Sequence, residues 1–266
     1  MKDHQLSGVL TLGVLVGGTG APLRPLVDEL PVDRVAVFDM PVPLDEARPP
    51  VASDRVVEFE IVRGLTTPML CDQLAQLRPD LAPLAAKLRS VQADLHAGAG
   101  QLRALGFAAV QHWIATGGDR RFRDEIVRPL MKAQSAQEGI RGVDLVIVAS
   151  ASGGTGSGAA IPLADLASRE FAHILNVPVR VTFVLVASEA HLAVGAHVLD
   201  NGATCLNELL GYVRALPEAA EITRSALVVT LPPDGADASR RERHVQASLP
   251  ALLGGATRAA LDLTRE

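Results

Sequence analysis

The sequence predicts a doubly wound α/β fold, a mostly parallel sheet with helices on both faces. Three observations carry this. Apolar runs alternate with helical segments along the chain. The runs are continuous, as in Val143-Asp144-Leu145-Val146-Ile147-Val148, which marks strands buried on both faces. Glycine clusters stand where strands pass into helices. Ligands of such sheets sit beyond the carboxyl ends of the strands, where these clusters fall.

The first strand is expected over 9–16. Gly17-Gly18-Thr19-Gly20 follows it and leads into a helix over 23–30, with Pro22 near the start, where a missing N–H costs least. Strands follow at 34–38 and 55–61, separated by the proline-rich loop 41–50. Apolar periodicity then predicts helices over 70–96, 101–115 and 122–137. A second glycine cluster, Ala97-Gly98-Ala99-Gly100, opens the helix over 101–115. The strand over 143–149 leads into Ser150-Ala151-Ser152-Gly153-Gly154-Thr155-Gly156-Ser157-Gly158, with a helix over 159–175 beyond. A strand over 179–187, a helix over 191–216 ended by Pro217, a strand over 226–231, a loop over 232–239 and a helix over 241–263 complete the pattern. No internal repeat stands out, and the 266 residues are expected to form one domain.

The stretch from Gly153 to Gly158 is the most informative. Four glycines in six residues leave backbone N–H groups able to converge on one spot. A helix start adds partial positive charge there, so phosphate is the expected occupant. Three such clusters, each feeding a helix, suit a ligand with several phosphates.

Composition narrows the classes. Nearly half of the residues (48%) are hydrophobic but only 3% are aromatic, so the core is aliphatic. The net charge of −5 gives no nucleic-acid footprint. The arginine groups at 120–123 and 240–243 are interleaved with or adjoined by acids and read as solvated surface. Cys71 and Cys205 make no disulfide framework and read as buried thiols. No apolar run reaches the roughly 20 residues of a membrane span. Residues 1–16 have the length of a signal peptide, but Asp3 spoils its basic region and the glycine cluster stands where cleavage would fall. A cytoplasmic protein is expected.

Several chemistries are disfavoured. No Lys follows either main glycine cluster, so Walker A is absent. Gly18-x-Gly20 is followed by Leu23 where a dinucleotide fingerprint needs glycine. Asp39, about twenty residues on, keeps that option open and equally suits a strand-end cap. The seven His are scattered, and no Cys/His pair has metal-ligand spacing. Ser152 lacks the context of a nucleophile elbow.

Gly153-Gly154-Thr155-Gly156-Ser157-Gly158 resembles the signature loop of the tubulin/FtsZ superfamily. The initial strand followed by Gly17–Gly20 is similar to that superfamily's opening. Gly98-Ala99-Gly100-Gln101-Leu102-Arg103-Ala104-Leu105-Gly106 and Asn201-Gly202-Ala203-Thr204-Cys205-Leu206-Asn207-Glu208-Leu209 resemble blocks of the divergent bacterial tubulin-like family. The resemblance covers about residues 6–235. It implies a Rossmann-like nucleotide-binding domain that takes GTP or GDP, with Mg²⁺ beside it, and a homo-oligomer, filament or protein partner.

Gly17, Gly18, Thr19 and Gly20 would then lie against the phosphates, and Gly98, Ala99 and Gly100 would face the γ-phosphate with Gln101 or Arg103 near. Gly153, Gly154, Thr155, Gly156, Ser157 and Gly158 would wrap the α- and β-phosphates, with the Thr155 and Ser157 hydroxyls donating. Neutral N–H and O–H donors at helix starts hold a polyanion without a lysine. Glu189 would reach the ribose. Asn201 and Asp234 are candidates for the nucleoside, with a helix-surface polar residue and a turn former as the plainer readings.

The chain departs from the family pattern at Phe107, where a basic residue is usual, and lacks an Asn after the first glycine cluster. The superfamily's water-activating acid lies in a loop after the long C-terminal helix, and no Asn-x-Asp-x-x-Asp occurs here; Asp262 and Glu266 are the acids at that end. The superfamily's second domain is not expected in this chain. Weak or absent GTP hydrolysis by the chain alone follows. Two other readings stay open. The segment from Gly17 to Leu26 is also similar to the start of a sugar-phosphate nucleotidyltransferase, though without the Lys that family needs. The third is an interaction module that keeps the fold and has lost the nucleotide.

Overall fold

A computed structural model describes residues 8–20, 32–40, 53–91, 93, 95, 98–99, 102–135, 139–188, 197–215 and 222–231. Among the described residues six parallel strands form one sheet in the order β3-β2-β1-β4-β5-β6. They are β1 (Val9–Val16), β2 (Arg34–Asp39), β3 (Val56–Glu60), β4 (Gly142–Ser150), β5 (Val179–Ser188) and β6 (Ile222–Leu231). The order reverses between β1 and β4, which pair from Val9↔Gly142 to Val16↔Ala149. This is the doubly wound pattern, and the crevice at its switch point opens beyond Val16 and Ser150.

β1 and β4 are the central strands, and every residue of β4 is buried. Leu12, Val14 and Val16 face one side together with Leu145, Ile147, Val181 and Phe183. That side packs against α4 (Arg103–Trp113), α7 (Gly154–Leu175) and α8 (His197–Arg214). Asp144 stands on the other side at the amino end and is bonded by Arg180.

Five of the aromatic residues gather in one cluster. Phe38 stacks on Phe59 at 4.7 Å, Trp113 meets both edge-on, and Phe122 links them to Phe171 of α7. Each fully buried Phe contributes about 1.5–3 kcal/mol by transfer from water. This cluster clamps the β2–β3 half of the sheet to the helical layer.

The predicted helix over 70–96 is broken into pieces. α2 (Thr67–Leu77) starts under a Thr66 cap, a 3₁₀ turn spans Pro79–Leu81, and α3 (Ala82–Leu88) ends the run. Pro79 explains the break, because the residue before a proline leaves the helical region; Arg78 sits at φ −132°, ψ 79°. Asp80 and Gln111 both accept from its guanidinium.

α4 runs into a π-type turn, Ile114–Gly118, bent at Gly117 with φ +98°. α5 (Asp119–Phe122), a second π-type turn (Arg123–Val127) and α6 (Arg128–Ser135) continue the run. α7 begins at Gly154, five residues before the predicted helix, so most of the signature glycines are helical. It ends at Asn176, whose left-handed φ of +50° is tolerated by asparagine. β6 begins four residues before its predicted start; Thr223 and Ser225 hid it, since an exposed strand carries polar residues without penalty. The helices predicted over 23–30 and 241–263 and the loops 41–50 and 232–239 lie outside the described residues, apart from the ends of neighbouring elements.

Candidate functional site: an uncapped helix at the switch point

β4 stops at Ser150 because that side chain turns the backbone. Its Oγ accepts from the N–H groups of Ser152 and Gly153, each at 3.1 Å. Ala151 N–H donates to Val186 of β5 at 3.0 Å, tying the turn to the sheet. Gly153 is then the N-cap of α7, in extended conformation, with no side-chain cap. The first helical bond is Ser157 N–H to the Gly153 carbonyl at 3.3 Å. The N–H groups of Gly154, Thr155 and Gly156 therefore have no acceptor among the described residues. No acid sits in this first turn. Three open donors on a 22-residue helix, with its dipole behind them, favour an anion.

The glycine cluster after β1 abuts this helix start. Gly17 has φ +67°, and a Cβ there would lie 2.9 Å from the Gly156 nitrogen. Only glycine satisfies both the conformation and the close approach. The turn Gly17–Gly20, α1, thus lies directly against α7. Gly20 faces inward, where a Cβ would meet the Val148 carbonyl at 2.9 Å. Gly18 faces outward, is exposed, and has nothing within 4 Å of an added Cβ. Thr19 belongs to this turn, and its side chain lies outside the described residues.

Two further close approaches seat α7. A Cβ on Gly106 of α4 would lie 2.3 Å from the Gly154 carbonyl, and one on Gly158 would lie 2.2 Å from the Arg103 carbonyl. The two helices cross at backbone contact. The sequence reading missed this role, and its only signal was the pair of glycines on apolar helix faces. Gly156 also packs inward, with 3.0 Å from an added Cβ to the Ser150 nitrogen.

The predicted hydroxyl donors divide. Ser157 Oγ turns back onto the Gly153 carbonyl and is buried, so it stabilises the helix start. Thr155 is buried too, at 8% exposure, and its hydroxyl makes no bond among the described residues. Asn201 of α8 donates to the Ser152 carbonyl at 3.4 Å, and its neighbour Gly202 packs on the same serine. This braces the turn before α7.

Arg103 heads α4 with its guanidinium bonded to Glu208 of α8, Nη1 to Oε1 at 3.0 Å. Cys205 lies between them and α7, with its Sγ 3.8 Å from the Ser157 carbonyl. Burial pushes the Cys205 thiol pKa up, and Arg103 partly counters this.

Gly98 takes φ +93° with open space around it, and Ala99 is buried in the core. Gly100, Gln101, Glu189 and Asp234 lie outside the described residues, as do Asp262 and Glu266. Asp39 caps its own strand end, accepting from Met40 N–H at 2.9 Å. Among the described residues no group of three or more His, Cys, Asp or Glu is placed to hold a metal.

Residues 79–251 match the family model described as "Tubulin like". No curated protein matches the chain. Among solved structures, CetZ2 of Haloferax volcanii, from a GTPγS-bound protofilament, is 18% identical with a TM-score of 0.49 over 92% of this chain and 57% of that one. TubZ of Bacillus thuringiensis serovar israelensis, from a GTPγS-form protofilament, is 11% identical with a TM-score of 0.48 over 95% of this chain and 56% of that one. TubZ of Clostridium botulinum phage c-st is 14% identical with a TM-score of 0.43 over 94% and 58%. The chain thus spans less than two thirds of the length of each.

Proposed function

This chain belongs to the tubulin-like family, and on that premise we propose that it binds a guanine nucleotide through the start of α7. One observation carries the phosphate part of the reading. Three consecutive amides, Gly154 to Gly156, have no acceptor among the described residues at the start of α7, which follows the carboxyl end of β4, and Gly17 packs against Gly156. Each hydrogen bond to a charged oxygen contributes about 1.5–3 kcal/mol. The α7 dipole adds about 1 kcal/mol. These donors suffice to hold a diphosphate without a lysine. The preference for guanine, the companion Mg²⁺ and nucleotide-dependent self-assembly rest on the family resemblance, as do the nucleoside roles of Glu189 and Asn201. The family assignment also weighs against the sugar-phosphate nucleotidyltransferase reading.

Calorimetry with GTP, GDP, ATP, NAD and a UDP-sugar tests this. Saturable heat with GTP and GDP, and at least tenfold weaker binding of the others, is the expected result. Clear binding of NAD or a UDP-sugar with no heat from guanine nucleotides overturns it. Sedimentation with and without GTP tests assembly separately.

A further inference from the structure

A cavity of about 440 Å³ opens at the carboxyl end of β3, away from the α7 site. Its wall comes from the segment after β3, from α2, and from the end of α4 with its π-type turn. The α4 helix separates the two places. Its N-terminal turn touches Gly154, while its last two residues, His112 and Trp113, line the cavity. Eleven helical residues span about 16 Å. A π-type turn inside a helix recurs at functional sites.

The apolar part of the lining is Ile61, Val62, Leu65 and Trp113. Ile61 and Val62 are nearly covered by the protein, at 3% and 1% exposure. The charged rim holds Arg63, Arg121 and Glu60, and Arg121 is bonded to Glu125, Nε to Oε1 at 2.7 Å. Arg63 is 88% exposed, and its contact with Glu60 is a loose 3.9 Å.

One polar pair fixes the donors within. His112 Nε2 lies 2.8 Å from Gln73 Oε1. The other ring nitrogen, Nδ1, is buried with no partner among the described residues. A proton on Nδ1 would be an orphaned donor, so the proton belongs on Nε2, which donates to Gln73 Oε1. Gln73 therefore keeps its carbonyl toward His112. Its amide N–H groups have no acceptor among the described residues.

We propose that this cavity is a second ligand site, which takes an apolar carboxylic acid. The carboxylate is held by Gln73 N–H and the Arg63 guanidinium, and the apolar body lies against Leu65. The volume lies in the range of small-molecule sites, about 300–1,000 Å³. The same chemistry is offered by a free small acid and by the C-terminal residue of a peptide.

Trp113 is the only tryptophan of the chain, so its emission reports the cavity directly. The protein is titrated with 4-methylpentanoate, with 4-methylpentanamide, and with Ala-Ala-Leu carrying a free or an amidated C-terminus. A saturable change with the acid, at least tenfold weaker with either amide, is the expected result. Peptide tighter than free acid identifies a protein terminus as the source; the reverse identifies a small molecule. Arg63→Gln, at an exposed position, weakens the acid about tenfold. Gln73→Glu keeps the acceptor for His112 and replaces the N–H donors with a repelling charge, so it abolishes binding. No saturable change, equal binding of acid and amide, unchanged affinity in Arg63→Gln, or competition between the acid and GTP each overturns the proposal.

Discussion

Gly106 and Gly154 meet backbone to backbone where α4 crosses the start of α7, with 2.3 Å from a Cβ at 106 to the Gly154 carbonyl. By helix propensity alone Gly106→Ala would stabilise α4 by about 1 kcal/mol. The contact reverses the sign. The helices must separate, and overpacking of this kind costs about 1–3 kcal/mol. Urea denaturation should show a lower midpoint for Gly106→Ala. Nucleotide affinity should fall as well, because the displaced residue is one of the three with open amides.

Gly18 and Gly156 separate binding from folding. An Asp at 18 enters open space, so the fold should tolerate it within about 0.5 kcal/mol. Its carboxylate would add negative charge to the glycine turn that packs on α7, and calorimetry should show weaker GTP binding. Gly156→Val instead drives a branched side chain against Ser150 at 3.0 Å. That variant should lose stability along with binding, and its thermal midpoint should fall.

Sheet and site were legible to different depths. β1, β2 and β4 were readable because continuous valine and leucine runs have no other stable home than a doubly buried strand. The glycine clusters located the crevice for the same local reason. Pro79 was a visible break in the predicted helix over 70–96 that periodicity overrode. The pairings of Arg103 with Glu208 and of Asn201 with Ser152 join residues distant in sequence, so no local pattern announces them. Ser157 looked like a phosphate donor by type, yet its hydroxyl is held by a carbonyl one turn earlier.

His112 makes stability depend on pH. Burial lowers its pKa below the ordinary histidine value. Between the lowered folded value and the ordinary unfolded one, the unfolded chain binds more protons, so stability rises with pH. It is therefore lost as pH falls below about 6.5. His112→Gln carries no titrating ring and can still donate to Gln73. The difference in urea midpoint between pH 7.5 and 5.5 should shrink in that variant.

Asp144 and Arg180 pair across β4 and β5 with side chains only 10% and 17% exposed. The Arg180 Nε bond to Oδ1 is 2.9 Å. Arg180→Met leaves a carboxylate with little water to replace its partner. Loss of one member of a buried pair costs about 3–5 kcal/mol. The double variant Asp144→Leu with Arg180→Met should recover most of this. Denaturation of the wild type, both singles and the double, as a thermodynamic cycle, checks it.

Arg103 tests whether a basic group close to the start of α7 serves the nucleotide or the scaffold. Its side chain is 13% exposed and bonded to Glu208, which is 51% exposed. Solvent around Glu208 limits the pair to about 1 kcal/mol. The structure commits the guanidinium to Glu208 of α8 rather than to the amides at the start of α7. If Arg103 acts by joining α4 to α8, then Arg103→Ala, Glu208→Ala and the double variant should lower GTP affinity by the same small factor, about two- to fivefold. A residue that touched phosphate would behave differently. Arg103→Ala would then weaken GTP far more than GDP, and Glu208→Ala would strengthen both by releasing the cation. Calorimetry on the four proteins distinguishes the outcomes, and equal losses in both singles are expected. That pattern would leave the phosphate charge to the backbone amides of α7.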